Sequence, residues 1–386
     1  MAWPADGPAN GPPRAMCVAR RARTMPANPW QQTRNMRSKV VTVAILVLGP
    51  CLQAAPLGFA GEPLPRRLHE TGLYLDGTTS EIRPGLLPFS PQYPLWSDGA
   101  AKRRWIGLPP ARAIDASDPA TWNFPPGTRF WKEFSLGGRP VETRMIERLA
   151  GGDWRFATYV WNEPGTDATL APEQGIPALP LPGGGDYAVP SVADCLACHE
   201  GAPVPVLGFS ALQLSSDRDP LAPHAEPPRH GDVDLRDLAE QGRLHGLPQA
   251  LLDVQPRIQA RTPAGRAALG YLHANCGHCH VDAAASAAGV PVPLTLWLDP
   301  ADPAAAARVQ QELVHGAGRY RPPGGGGSSY VVPGDSAAGT LLLRLRSRDP
   351  RSQMPPLGSR IPDELALALI GRWVEQDLVG LEEASP

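Results

Sequence analysis

Two pentapeptides of one pattern, Cys195-Leu-Ala-Cys198-His199 and Cys276-Gly-His278-Cys279-His280, are the residues whose spacing can do chemistry. Two thiols three positions apart reach two substituents on one edge of a flat ring, and the histidine that follows turns its imidazole toward the ring's centre. That is the geometry for attaching a c-type haem, with two thioether bonds to the vinyl groups and one nitrogen on the iron. Cys-x-x-Cys also serves zinc ribbons and thioredoxin-like redox centres. Zinc ribbons, however, place their pairs about 15 to 20 residues apart, far closer than here, and neither alternative needs a histidine after each pair. The sequence therefore predicts two covalently attached haems, one on Cys195, Cys198 and His199 and one on Cys276, Cys279 and His280. His278, inside the second motif, cannot easily reach the iron that His280 serves and is read as a bystander.

An exported location fits this chemistry. From Met36 the chain runs through the basic MRSK, the apolar VVTVAILVLGPCL and the small-residue QAAPLGFAGEP, the order of a secretory signal peptide over residues 36–60. The apolar run is shorter than the roughly 20 residues of a comfortable membrane span, so membrane association is expected only if this segment stays uncleaved. Residues 1–35 are rich in Pro and Arg without hydrophobic periodicity and read as a disordered extension or a start-site artefact. Cleavage near Ala55 or Ala60 would remove Cys17 and Cys51, leaving only the four motif cysteines of the six in the chain. In an oxidising compartment two close thiol pairs would tend to oxidise, and thioether bonds to haem remove that hazard.

The same cleavage leaves Met145 and Met354 as the only methionines. Met354 lies in Ser-Gln-Met-Pro-Pro, after His280 and before the last helical pattern, a poor place for a flexible core filler. It is the expected sulfur ligand of the second haem, and His/Met coordination raises the reduction potential over two nitrogen ligands. For the first haem His224, His230, His245, His273 and Met145 are all candidates, as is an iron left open to small ligands or peroxide.

Three regions must position these groups. Residues 61–185 read as β-rich, with strands at Arg129 to Leu136, Val141 to Leu149 and Trp154 to Asn162 separated by Gly pairs. In the last of these, bulky side chains alternate on both faces, so both are expected to be covered. Pro-rich stretches, including Pro164 to Pro190, are expected as extended surface loops. Residues 186–253 carry the first motif and a short helix at Leu235 to Gln241. Residues 254–386 begin with Thr262-Pro263, an N-cap and first-turn pair, ahead of a helix delivering the second motif. A shorter helix is expected over Ser336 to Arg346. A terminal helix is expected from Pro362-Asp363-Glu364, with Leu365, Leu369, Ile370, Trp373 and Val374 as its apolar stripe. The fold class is α+β: a β-rich N-terminal region, a haem-bearing segment and an α-helical, cytochrome c-like C-terminal domain.

Composition narrows the partners. With 40 Gly and 47 Pro the chain is loop-rich, which suits segments clamped by bound cofactors. Beyond residue 60 there remain 29 basic and 37 acidic side chains, a balance near −8 that argues against nucleic acid and favours a basic redox partner. Lysine occurs only at Lys39, Lys102 and Lys132 against 33 arginines, read as compositional bias without mechanistic content.

The chain also resembles an uncharacterised bacterial family of two-haem (diheme) c-type cytochromes over nearly all of residues 66–378. The matching stretches are LHETGLY, PLWSDGAAKRRWIGLP, FPPGTRFWKEF, ETRMIERLAGGDWRFATYVWNE, VPSVADCLACHE, YLHANCGHCH and VVPGDSAAGTLLLRLRSRDPRSQMPPLG, with the terminal helix. Several carry no haem ligand. The resemblance implies export, a β-rich N-terminal part, a cytochrome c-like C-terminal part, and the six motif residues as haem residues. It places Met354 where such domains put their sulfur ligand, and it implies no substrate. The leading expectation is electron transfer between a periplasmic donor and acceptor protein. The alternatives are a peroxidase-like oxidoreductase with an open first haem, and a redox subunit that docks a partner through its β-rich domain.

Overall fold

The computed structural model describes residues 63–182, 184–281, 293–323, 325 and 327–379. The readings of residues 1–35 and 36–60, with Cys17 and Cys51, lie outside the described residues, as do Gly183, Gly324 and Gly326. All described residues belong to one compact unit, Ala55–Pro386.

The strands in chain order are β1 (Leu87–Pro88), β2 (Ala101–Gly107), β3 (Ile114–Asp115), β4 (Arg129–Leu136), β5 (Arg139–Arg148), β6 (Trp154–Trp161), β7 (Ala168–Leu170), β8 (Ile176–Pro180), β9 (Asp186–Val189) and β10 (Leu244–His245). Six of them form one antiparallel sheet in the order β1-β2-β4-β5-β6-β7. The helices are α1 (Val192–His199), α2 (Leu235–Glu240), α3 (Ala250–Asp253), α4 (Pro263–Cys276), α5 (Ala305–His315), α6 (Thr340–Arg346) and α7 (Glu364–Arg372), the last running into a π turn at Trp373–Asp377. The chain is α+β, with its sheet in the first half and most of its helical residues in the second.

Strand alternation gives the sheet two covered faces. One face packs Trp105, Trp131, Met145, Ala157, Tyr159 and Trp161 against Leu68, Leu73 and Tyr74. The other begins with the cross-strand row Ile106, Phe130, Ile146 and Phe156, which packs on Phe89, Phe209, Leu214 and Leu238. Cys195 and Leu196 of α1 lie against this second cluster. β6 therefore carries bulk on both sides and is buried on both, as its sequence suggests.

The helical core gathers Ala267, Leu269, Leu272, Leu313, Leu342, Ile370 and Trp373, and draws in Tyr93 and Leu212 from the loops of the first half. Thr262 caps α4 as expected, its hydroxyl accepting from the Gly265 N–H at 3.0 Å, with Pro263 in the first turn. Asp363 caps α7.

Several expectations need correction. The helix expected from Ser336 begins only at Thr340, because Asp335 Oδ1 accepts from the backbone N–H groups of Ala337 and Ala338 and holds that stretch in a turn. Leu365 is exposed and leaves the apolar stripe of α7, where Ala366 and Leu367 are buried instead. The Pro164 to Pro190 stretch is not only loop, since it carries β7 and the β8–β9 hairpin.

Gly270 shows how tightly α4 is seated. A Cβ there would fall inside the van der Waals envelope of the Tyr93 ring, and the Tyr93 hydroxyl is itself bonded to Asp219 at 3.0 Å. Helix propensity alone would make Gly270→Ala stabilising by about 1 kcal/mol, whereas overpacking costs about 1–3 kcal/mol. Chemical denaturation of Gly270→Ala is expected to show a net loss, and a gain would contradict the close approach of Tyr93 to α4.

Candidate functional site

The first motif sits on α1, an eight-residue helix started by a reciprocal cap: Ser191 accepts from the Asp194 N–H at 3.0 Å and Asp194 accepts from the Ser191 N–H at 2.9 Å. The second motif follows directly from α4, and the Cys279 and His280 N–H groups still bond the Cys276 carbonyl at 3.0 and 2.9 Å. The first motif thus lies within a helix and the second follows one directly, each pair of cysteines about one turn apart.

The two histidines share one arrangement. His199 Nδ1 lies 2.5 Å from the Pro205 carbonyl oxygen, and His280 Nδ1 lies 3.2 Å from that of Leu294. A carbonyl accepts only, so in each ring Nδ1 carries the proton and Nε2 keeps a free lone pair. Ligating histidines are oriented by such a bond. Burial pushes His199 down to about 4 and lowers His280 as well, keeping both rings neutral and able to donate to a metal. The His199 ring also meets Phe156 of the sheet, centroid to centroid 5.1 Å.

Cys195, Cys198 and His199 open on a cavity of about 550 Å³. Its walls come from the sheet (Phe130, Ile146, Phe156), from the helical half (Tyr271, Cys276, Leu345, Leu367) and from Met354. His280 and Cys279 lie outside this lining. The motif thiols are half-buried, and that burial raises Cys195 to about 11 and Cys276 to about 12. The two motifs meet at their second cysteines: Cys279 Sγ lies 3.9 Å from the carbonyl oxygen of Ala197, the residue before Cys198. The proximity of Cys279, followed by burial, raises the Cys198 thiol. Two motifs far apart in sequence are therefore edge to edge in space.

Among the described residues no three His, Cys, Asp or Glu side chains gather as a set that could hold a bare metal ion. Haem needs no such gathering, because its iron arrives with four nitrogens already bound and asks the protein for axial ligands alone. The carbonyl-oriented histidines, the paired thiols and the largely apolar cavity fit that group.

Met354 is fixed in place by its neighbours. Its N–H bonds the Arg344 carbonyl at 3.0 Å, Arg344 Nε bonds the Ser352 carbonyl at 2.9 Å, and the Gln353 amide bonds the Pro356 carbonyl at 3.0 Å. Further along, Asp98 accepts from the Ser359 hydroxyl and from the Arg360 and Ile361 N–H groups, each at 3.0 Å. Trp96 completes the clamp, its indole N–H donating to the Ile361 carbonyl at 2.9 Å and its backbone N–H to Asn275 at 2.7 Å. The Trp96-Ser97-Asp98 segment thus ties the Met354 loop to the residue just before Cys276.

The candidates for a distal ligand on the first haem are placed elsewhere. Met145 is buried on the far face of the sheet. His224 Nε2 bonds Asp363 at 2.8 Å and its ring stacks on Trp96. His273 Nδ1 accepts from the Leu298 N–H at 3.0 Å, while His230 and His245 are exposed. None of the five histidines and methionines but Met145 borders the cavity, and its side chain packs on the other side. His278 does border it, beside Cys198, with its buried Nδ1 lacking any partner among the described residues.

Sequence reasoning also missed the sheet's role as a wall. Lys132 stands between Phe130 and Phe134 on one face of β4, and a lone cation inside an apolar stripe was the available signal. Among the described residues no helix is long and apolar enough to cross a membrane. Comparison with known protein families, with curated proteins and with solved structures gives no match for this chain.

Asp98 offers a direct test of the clamp. Asp98→Ala is expected to cost about 1–3 kcal/mol, the usual loss when donors to a carboxylate go unpaired. Thermal unfolding measures the cost, and faster hydrogen exchange should localise at Arg360 and Ile361; unchanged exchange there would contradict the clamp.

Proposed function

We propose that the chain is an exported diheme c-type cytochrome that passes electrons between periplasmic redox proteins. The observation that carries this reading is the matched pair of motif histidines, each with Nδ1–H committed to a backbone carbonyl and Nε2 free, each beside a Cys-x-x-Cys pair. Bound haem supplies a one-electron iron couple whose potential is set by its axial ligands and surroundings.

The chain's residues divide the work. Cys195, Cys198, Cys276 and Cys279 provide the thioether attachments, and His199 and His280 provide the proximal nitrogens. Met354 would provide the sulfur ligand of the second haem, from a loop that α6 and Asp98 hold and that also borders the cavity of the first motif, with His280 outside that lining. The helices α4, α6 and α7 then serve as a cytochrome c-like domain, and the sheet serves as the wall of the first site. The approach of Cys279 to the backbone beside Cys198 would bring the two attachment edges together, an arrangement suited to electron exchange between the two haems.

A peroxidase-like reading is favoured by one observation, that none of His224, His230, His245, His273 and Met145 turns its side chain into the cavity of the first motif. Carbon monoxide binding to one haem of the reduced protein would support that reading.

Met354→Ala tests the main proposal. The variant is expected to lose the near-infrared sulfur-to-iron band of one haem while keeping both haems, and to lower that haem's reduction potential. An unchanged near-infrared spectrum would remove Met354 from the ligand set.

A further inference from the structure

The face of the sheet that borders the cavity carries a second cross-strand row. Arg104 of β2 lies opposite Lys132 of β4, Lys132 lies opposite Arg144 of β5, and Arg144 lies opposite Thr158 of β6. Three cations in succession across hydrogen-bonded strands repel, and like charges directly opposite one another destabilise a sheet. All three line the cavity that holds His199.

The row is only partly neutralised by the protein. Arg144 is paired with Glu142, Nε to carboxylate 2.7 Å, and Glu142 also accepts from the Tyr187 hydroxyl at 2.9 Å. Lys132 and Arg104 have no side-chain hydrogen bond or ion pair among the described residues; Lys132 stands 5.1 Å from the Phe134 ring, with Glu142 as the acid that favours its charge, and Arg104 has Glu226 and Asp232 only at a distance. Burial, then Arg104, Lys102 and Arg144, push the Lys132 ammonium well below its ordinary value. An unpaired cation facing a buried cavity calls for an anion.

We propose that the Arg104–Lys132 end of this row is a carboxylate-binding site, and that the carboxylates it holds are the propionates of the haem carried on Cys195 and Cys198. This rests on the two-haem reading. Direction along the row supports the assignment. Arg144 is the member that interacts electrostatically with Cys195, at the attachment edge. Arg104 is two strands further on, roughly 10 Å away at the usual strand spacing, comparable to the breadth of a porphyrin. Propionates project from the edge of the ring opposite the thioethers, so they belong at the Arg104–Lys132 end. A free small carboxylate is the other source of the same chemistry.

The test uses the matured holoprotein and its Lys132→Gln, Lys132→Arg and Arg104→Gln variants, with haem content and the near-infrared sulfur-to-iron band measured for each. Resonance Raman spectroscopy in the propionate-bending region is expected to shift for one haem in Lys132→Gln and Arg104→Gln. The same haem's reduction potential should fall, Lys132→Arg should restore both, and the sulfur-to-iron band should not change. Acetate titrated into the wild type should leave its spectra unaltered. Unshifted propionate bands in both Gln variants with two haems in place would overturn the proposal. So would an acetate-dependent shift in the wild type that Lys132→Gln abolishes, which would mark a site for free carboxylates. Wild-type protein lacking haem would instead overturn the two-haem reading, and is distinguished at the first step by haem content.

Discussion

An imidazole whose Nδ1–H is given to a backbone carbonyl has one lone pair left, on Nε2, and that constraint fixes what His199 and His280 can do. Each can orient toward a metal and donate to it, and burial keeps each neutral for the purpose. The remaining architecture can be understood as what holds those two bonds. The turn from His199 to Pro205 and the return of the chain at Leu294 supply the acceptors. α1 and α4 supply the approach, and the close seating of α4 on Tyr93 leaves it little freedom to shift.

The sheet has two unlike faces with unlike tasks. One face is a closed core of tryptophan and tyrosine against the first turn of the described chain. The other is apolar along the row containing Phe130 and Phe156, and cationic along the next row containing Lys132. An apolar strip beside a charged strip suits an amphipathic disc with carboxylates on one edge. The same face meets α1 through Cys195 and Leu196, so the wall and the first Cys-x-x-Cys-His motif are built as one unit.

Much of this was legible in the sequence where a strong local signal existed. The three central strands are bounded by Gly turns, the α4 start by Thr262-Pro263 and the α7 start by Asp363, and each lies within a few residues of its expected place. Signals that depend on tertiary pairing were not legible. Strand register alone aligns Arg104, Lys132 and Arg144, and nothing local announces it. Lys102 and Lys132, first read as mere compositional bias, both occupy the cavity-side face of the sheet, and burial lowers Lys102 to about 7. The meeting of Cys279 with the Ala197 carbonyl beside Cys198 is a contact between residues far apart in the chain. The clamp of Asp98 on Ser359 to Ile361 was equally hidden, although the PLWSDG segment that carries it stood out as a stretch without a haem ligand. Ser336 shows the opposite failure, where an Asp side chain satisfied backbone donors and delayed a helix that the apolar pattern alone would start earlier.

The most direct measurement is the intact mass of the protein purified from a host that matures c-type cytochromes. The account predicts the polypeptide plus two haems, retained under denaturing conditions because thioether bonds survive them. A mass equal to the bare polypeptide, with all four motif thiols open to alkylation, would contradict it.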